Sequence, residues 1–172
     1  MKKVYLIAIA AGFALSARAQ KLQKPNIDKI SGDTTLSTSE ERIFTKVGLG
    51  PSQILYAYVS KSKGIHTLVL KMDNNNGVYI YHVTPNDVTN IKFTDGSVLN
   101  INPGINSNSD DKSTSVGHRS ILSVYYALST KDIAQLKAKP ISYIRIATSA
   151  APMDYEIKEK NGDIIKNELA LL

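Results

Sequence analysis

Residues 53 to 72 read QILYAYVSKSKGIHTLVLKM, and this stretch decides the fold of the chain. Two runs rich in aliphatic, β-branched and aromatic residues, 53–59 and 65–72, flank the turn-forming stretch KSKG at 61–64. This pattern predicts a β-hairpin. Apolar residues occupy both alternating faces of each run, which is typical of strands inside a sheet. We therefore expect the hairpin to be central and covered on two sides.

Short β-type runs continue on both sides of this hairpin, and turn residues separate them. Regular spacing of this kind predicts an antiparallel meander. In the run at 153–158, apolar and charged residues alternate cleanly, which predicts a sheet with one solvated face. The remaining predicted strands cover residues 29–36, 42–47, 78–83, 88–93, 98–101, 120–128 and 141–148.

The hairpin that contains Asp95 and Gly96 can be placed in register from its own sequence. A two-residue turn would set Ile91 opposite Asn100, an apolar residue against a polar one. A three-residue turn with Gly96 in the left-handed conformation puts Ile91 on the same face as Leu99 instead. We expect this second arrangement, a hairpin with a Gly bulge.

Two helices are predicted. Ser129 with Asp132 three residues later is the start signal of a short helix near 130–138, which Pro140 ends. The C-terminal stretch 163–172 also has helical spacing, with Asp163 available as a cap, although Asn161-Gly162 could alternatively turn into a last strand. The aliphatic residues at this spacing are Ile165, Leu169 and Leu172.

The predicted fold class is therefore α+β: mostly antiparallel strands in a β-sandwich or half-open barrel, with one short helix and a C-terminal helix. No internal repeat and no second domain is found. We expect a single β-rich domain over residues 30–172, preceded by a flexible polar leader at 20–29.

Residues 1–19 have the pattern of a secretory signal peptide. Two lysines precede the apolar run 4–15, and Ala17-Arg18-Ala19 is a small-x-small cleavage site. The apolar run is too short to cross a bilayer, and no later segment is apolar enough, so no integral membrane segment is expected after processing. The expected location is the periplasm or the extracellular medium.

Composition narrows the chemistry. The chain has 21 basic and 15 acidic residues, and removing residues 1–19 lowers the formal charge from +6 to +3. It contains no cysteine, which excludes disulfides, thiol catalysis, Cys-ligated zinc and iron–sulfur clusters.

The lysines are too scattered for a nucleic-acid footprint, so no nucleic-acid partner is expected. No nucleophile-elbow, zincin, Walker or Rossmann motif occurs, and no cofactor or metal is expected.

Candidate binding residues lie around the polar stretch 102–115, which predicts a long exposed loop. His118 and Arg119 follow this loop, and together with Asp110 and Asp111 they could form an anion or metal site. Two adjacent acids in a Ser/Asn tract are more often solvated loop residues, and that interpretation is favoured. The three histidines, at 66, 82 and 118, have no metal-ligand spacing.

Two further features have structural and functional interpretations. Residues 73–77, DNNNG, resemble the start of a calcium loop, but the Gly comes too early and no Glu follows at position twelve, so a plain turn is predicted. Tyr56 and Tyr58 share one strand face, as do Tyr79 and Tyr81. If exposed, such tyrosines could stack on sugars or bases, although packing in the core is the favoured interpretation.

The order of elements resembles that of small exported proteins of the Bacteroidota. The similar parts are the Ala-Gln end of the signal, DKISGDTT at 28–35, YALSTKDI at 126–133, IRI at 144–146 and a terminal helix rich in Lys, Asn and Leu. This resemblance implies export and a similar layout, and it assigns no functional residue.

The expected function is that of an exported soluble protein of binding or structural type, without catalytic activity. The alternative is a small extracytoplasmic hydrolase or ligand carrier with a site near loop 102–115. The expected partner is an envelope or extracellular protein or a small ligand.

Overall fold

The computed structural model describes residues 21–48, 52–75, 81–114 and 117–172. The predicted signal peptide therefore lies outside the described residues. The strands are β1 (Asn26–Ile27), β2 (Thr34–Ser37), β3 (Glu41–Lys46), β4 (Ser52–Ser62), β5 (Ile65–Asn75), β6 (His82–Val83), β7 (Thr89–Phe93), β8 (Val98–Ile101), β9 (Ser107–Asn108), β10 (Asp110–Thr114), β11 (Gly117–Leu128), β12 (Ile141–Ile146) and β13 (Met153–Glu156). The helices are α1 (Thr130–Ala138) and α2 (Ile164–Ala170), with a single 3-10 turn at Glu159–Asn161 before α2. The predicted α+β class, mostly antiparallel, is confirmed.

The larger sheet is curled into a half-barrel with the strand order β1-β2-β4-β5-β11-β10. Strand β3 pairs with β4 on the same side as β2. The hairpin β4–β5 lies at the centre, as predicted, and turns at Lys63 and Gly64, which have φ of 50° and 80°. Two successive residues with positive φ are typical of the tight turn whose twist matches that of paired strands.

The second sheet has the order β13-β12-β7-β8, and β6 and β9 form a separate pair. In the β7–β8 hairpin, Ile91 lies opposite Leu99, and Gly96 has φ of 86°. The amide of Phe93 donates to the carbonyl of Ser97 at 2.9 Å across a three-residue turn. The predicted Gly-bulge hairpin is confirmed.

The core lies between the inner face of the curled sheet, the second sheet and the two helices. Strands β4, β5 and β11 contribute alternate aliphatic residues to one continuous buried cluster, and the helices add Leu136, Ile165 and Leu169. The prediction that the β4–β5 hairpin is covered on both faces is confirmed only in part. The inner face of β4 is buried, whereas Ile54, Tyr56 and Tyr58 on its outer face are half-buried.

Both predicted helices are present. Ser129 Oγ accepts from the amide of Asp132 at 3.2 Å, and Asp132 Oδ2 accepts from the amide of Ser129 at 2.9 Å, so α1 begins with the predicted capping box. Helix α2 confirms the C-terminal helix, because Ile165 and Leu169 are buried. Asp163 occupies its N-cap position without a side-chain capping hydrogen bond, so its expected role as a cap is wrong.

The polar stretch 102–115 is not the long loop that the sequence predicts. Within it β9 pairs with β6, and β10 pairs with β11 over five residue pairs. The residues of β10 have low strand propensity, and they form a strand because the long neighbouring strand β11 supplies hydrogen-bond partners for their backbone. Residue 115 lies outside the described range.

Two other local predictions are corrected in the same way. Asp73, Asn74 and Asn75 continue β5 because β4 and β11 pair with them on both sides, so the predicted turn does not begin at Asp73; residues 76 and 77 are not described. Order begins before residue 30, since β1 pairs with β2 and Leu22 bridges to Thr38. In the described ranges, no helix is both long and apolar enough to cross a membrane.

Candidate functional site

The structure does not gather the four residues singled out around the 102–115 stretch into one site. His118 Nδ1 lies 3.8 Å from Asp111 Oδ2. Asp110 Oδ2 lies 3.3 Å from Nζ of Lys112, an exposed lysine. Arg119 points elsewhere and binds Asp73 on β5, with Nε donating to Oδ1 at 2.8 Å. The predicted convergence of the two acids with His118 and Arg119 is therefore absent.

The reason is the alternation of side chains along paired strands. Asp110 and Asp111 are neighbours on β10, so their side chains point to opposite faces of the sheet. His118 and Arg119 are neighbours on β11 and diverge in the same way. Within the described ranges, no group of three His, Asp or Glu side chains is placed to hold a metal ion. The alternative of a hydrolase or carrier site near this stretch stays a prediction.

A different surface, the outer face of the curled sheet, brings aromatic side chains together. Tyr58 on β4, Val69 on β5 and Tyr125 on β11 are direct cross-strand neighbours in one row. Val69 is only 1% exposed, although it lies outside the core cluster. Since the core lies on the opposite face, we infer that the two tyrosine rings flanking Val69 bury it.

The hydroxyls of the two tyrosines are close enough to interact. Burial raises the pKa of Tyr58 to about 12, and the neighbouring charges of Tyr125 and Glu40 and a hydrogen bond with Tyr125 act in the same direction. The hydroxyls of Tyr58 and Tyr125 therefore meet on the row of the sheet that contains Val69. Tyr125 remains 37% exposed, so the pair still presents aromatic surface to solvent.

Charged side chains border the aromatic pair in the next row of the sheet. Lys71 lies opposite Tyr56, with its Nζ 5.7 Å from the centre of the Tyr56 ring. The same Nζ donates to both carboxylate oxygens of Glu40, at 3.0 and 2.8 Å. A cation over an aromatic face and against a carboxylate is held on two sides, so this part of the surface has a defined arrangement.

One row further along the sheet, Asp73 and Arg119 form the second ion pair of this face. The hydrogen bond that Arg119 donates to Asp73 and the negative charge of Asp73 both raise the pKa of the Arg119 guanidinium. Tyr56 raises this pKa by a smaller amount. We call the surface formed by Tyr56, Tyr58, Tyr125 and these two ion pairs the tyrosine face. Its two cations are matched by two carboxylates, so it is neutral overall.

This arrangement is suited to binding. Aromatic rings stack on the flat faces of ligands, the two cations offer donors beside them, and the partly exposed Glu40 carboxylate offers acceptors. Because the charges of this face cancel, it gives a polyanion no net electrostatic attraction and does not favour an anionic ligand over an uncharged one. The tyrosine face is therefore suited to a flat, uncharged, hydroxyl-rich molecule.

Sequence reasoning found only part of this surface. Tyr56 and Tyr58 were recognised as sharing a face, but the favoured core-packing interpretation is wrong for them and holds for Tyr81, which is buried. Tyr79 lies outside the described residues. Tyr125 was missed, because only the pairing of β5 with β11 shows which strand residue stands beside Val69. Its position between the inward-facing Val124 and Tyr126 was the available signal.

No protein-family model matches this sequence, and neither a curated protein nor a solved structure matches it.

Proposed function

We propose that this chain is an exported, non-enzymatic binding protein that holds a neutral glycan on the tyrosine face. The observation that carries the proposal is the burial of Val69 on the open side of the sheet, between its cross-strand neighbours Tyr58 and Tyr125. Two tyrosine rings that cover Val69 form a broad aromatic surface, which is the shape that stacks against a sugar ring.

The polar surroundings agree with a glycan ligand. Vicinal hydroxyls need both hydrogen-bond donors and acceptors: Lys71 and Arg119 supply donors beside the rings, and the partly exposed carboxylate of Glu40 supplies acceptors. Charged partners also strengthen hydrogen bonds to hydroxyls. Because each cation already has a carboxylate partner, the face holds no unpaired charge that would select an anionic ligand.

Export is the second part of the proposal and rests on the signal-peptide pattern of residues 1–19. We expect the mature chain to begin at Gln20 and to be recovered in soluble form. Intact mass spectrometry of the protein collected from the periplasm or medium tests this part. A product that retains residues 1–19, or one found only in membranes, would contradict it.

Binding is tested by native electrophoresis in gels cast with a neutral polysaccharide: a β-glucan, a xylan or a galactomannan. At least one of the three is expected to retard the wild-type protein. The double variant Tyr58→Ala, Tyr125→Ala is expected to lose the retardation. Tyr143→Ala removes a tyrosine from the second sheet and serves as the matched control, which is expected to be retarded like the wild type.

A conservative variant separates the contribution of ring stacking to binding from that of the tyrosine hydroxyl. Tyr58→Phe keeps the ring over Val69 and removes only the hydroxyl, so most of the retardation is expected to remain. The proposed glycan site is wrong if the double alanine variant and the wild type migrate alike in every gel. It is also wrong if Tyr143→Ala abolishes retardation as fully as the double variant does.

A further inference from the structure

A groove runs along the junction of the two sheets, where β3 faces β13 and the turn after it. It consists of three adjoining depressions of about 280, 560 and 540 Å³. Phe44, Thr45 and Glu156 line both the first and the second depression. Tyr143 and Glu156 line both the second and the third. The three depressions therefore form one continuous surface, which we call the seam groove.

The strands that border the first depression each have one edge without a strand partner. Within the part of the chain that the structure describes, β3 pairs only with β4, and β13 pairs only with β12. Ile43 is the extra residue of a bulge in the β3–β4 pairing, and its carbonyl accepts from Asn161 Nδ2 at 2.8 Å. A side-chain amide thus donates to an edge carbonyl that a neighbouring strand would otherwise satisfy.

Between these two edges the floor of the groove is aromatic. The rings of Phe44 and Tyr155 meet edge to face, with their centres 5.2 Å apart. Tyr155 is buried, so it fixes Phe44 from below, while Phe44 itself is half-buried and lines the groove. The groove therefore combines two strand edges with an apolar base.

The walls of the groove are strongly basic. Six cations and two carboxylates line it, for a net charge of +4, whereas the 18 basic and 15 acidic residues from Lys21 onward total only +3. Arg145 is neutralised by Asp154, with Nε to Oδ1 at 2.6 Å. Among the described residues, none of the other five forms an ion pair. These five are Arg42, Lys46, Lys92, Lys158 and Lys160.

The geometry points to an acidic polypeptide segment that docks in the seam groove as an extended strand against β3. Charge complementarity selects an anionic partner, because the positive charge of the described chain is concentrated here. The open strand edge selects a polypeptide over other polyanions, since an edge recognises a peptide backbone through ladder hydrogen bonds. Acidic side chains of the segment would meet the unpaired lysines.

One carboxylate adds a specificity element. Glu156 lines all three depressions and forms no ion pair among the described residues, so it places a negative charge in the middle of the groove. A like charge opposite it would be repelled. The segment that fits best therefore has acidic residues toward both ends and a basic or neutral residue at its centre.

The test measures fluorescence anisotropy of labelled synthetic peptides of about eight residues, the length of an ordinary strand, with the full mature chain. One peptide has acidic ends and a central lysine. A second has the same charges but proline at alternate positions, which removes backbone donors. A sulfated polysaccharide, heparin, serves as a competitor of a different chemical class.

The wild-type protein is expected to bind the first peptide, to bind the proline peptide about tenfold more weakly, and to lose affinity as salt is raised. The variant Lys158→Glu, Lys160→Glu is expected to bind the first peptide about tenfold more weakly. Lys131→Glu, Lys137→Glu makes the same charge change on exposed residues of α1 and is expected to bind like the wild type.

The inference is overturned if the wild type does not bind the first peptide, or if the proline peptide binds equally well. The inference is also overturned if both charge variants lose the same amount of affinity for the first peptide. It is likewise overturned if heparin binds and the peptide does not compete with it. The proline comparison uses only the wild-type protein, so it decides the matter even if a variant is unstable. None of the groove residues belongs to the tyrosine face, and the two proposals fail or stand separately.

Discussion

Arg119 donates two hydrogen bonds to the carboxylate of Asp73, which is almost completely buried on a sheet face that is otherwise partly open. Strands β11 and β5 hold these residues next to each other, although 46 positions separate them in the chain. A buried carboxylate of this kind depends on its partner for compensation of the lost hydration.

Removing the guanidinium is expected to destabilise the protein measurably. Arg119→Met keeps the apolar stem and leaves Asp73 unpaired, so we expect a loss of about 2 kcal/mol, less than for a fully buried pair because the Arg119 side chain is 43% exposed. Urea denaturation measures the free energy of unfolding. Lys112→Met, at an exposed ion pair on the adjacent strand, is the control and should change it by less than about 0.5 kcal/mol.

The double variant Arg119→Met, Asp73→Asn gives an internal check. It removes the charge that Arg119→Met leaves buried, and so it should recover part of the lost stability. A double variant less stable than the sum of the two single changes would show that Asp73 is not stabilised by Arg119.

Helix α2 offers a pair of substitutions that differ only in the face they occupy. Leu169 is fully buried and Asn167 is exposed, two positions away on the same helix. Leu169→Asp places a charge against the core and is expected to cost about 3 kcal/mol or more, whereas Asn167→Asp is expected to be nearly neutral. Thermal melts of the two variants should differ widely, and comparable losses would contradict the observed helix.

Glu168 on the same helix is expected to make stability fall as pH rises. Its side chain is completely buried, and neither carboxylate oxygen has a hydrogen-bond partner in the described residues. Burial, with a smaller effect of the Glu41 charge, raises its pKa from 4.5 to about 9. The folded protein therefore retains a proton that the unfolded chain releases, so the contribution of Glu168 to stability is complete below pH 4.5 and is lost as the pH rises from 4.5 to 9.

This pH dependence has a direct measurement. Between pH 4.5 and 7 the pKa shift corresponds to a loss on the order of 3 kcal/mol. Glu168→Gln cannot ionise, so its unfolding free energy should decline less over this range than that of the wild type. Glu156→Gln removes an exposed carboxylate and should leave the wild-type slope unchanged. Parallel curves for the wild type and Glu168→Gln would refute the expectation.

The capping box of α1 is expected to contribute a modest part of stability. Ser129→Ala removes the hydroxyl that accepts from the amide of Asp132, and a loss of about 1 kcal/mol is expected in urea denaturation. Thr130→Ala, at the first exposed residue of the helix, is the control and should be neutral or slightly stabilising. An equal effect of the two changes would mean that the cap is not the origin of the loss.

By itself, the sequence determined the features that depend on near neighbours in the chain. The central hairpin, the Gly-bulge register of Ile91 against Leu99, the Ser129 cap and the helical stripe of Ile165 and Leu169 all follow from local spacing and turn chemistry. In each of these, the residues that interact are only a few positions apart or are joined by a short turn.

Only the tertiary structure decided the rest, because strand pairing brings distant residues together at a register that local patterns do not encode. The polar stretch 102–115 contains strands since β6 and β11 supply its partners. Arg119 binds Asp73 instead of joining Asp110 and Asp111, and Tyr125 and Tyr58 flank Val69, through the pairing of β5 with β4 and β11. Both proposed binding surfaces therefore arise from long-range pairing and packing, and neither has a contiguous signature in the sequence.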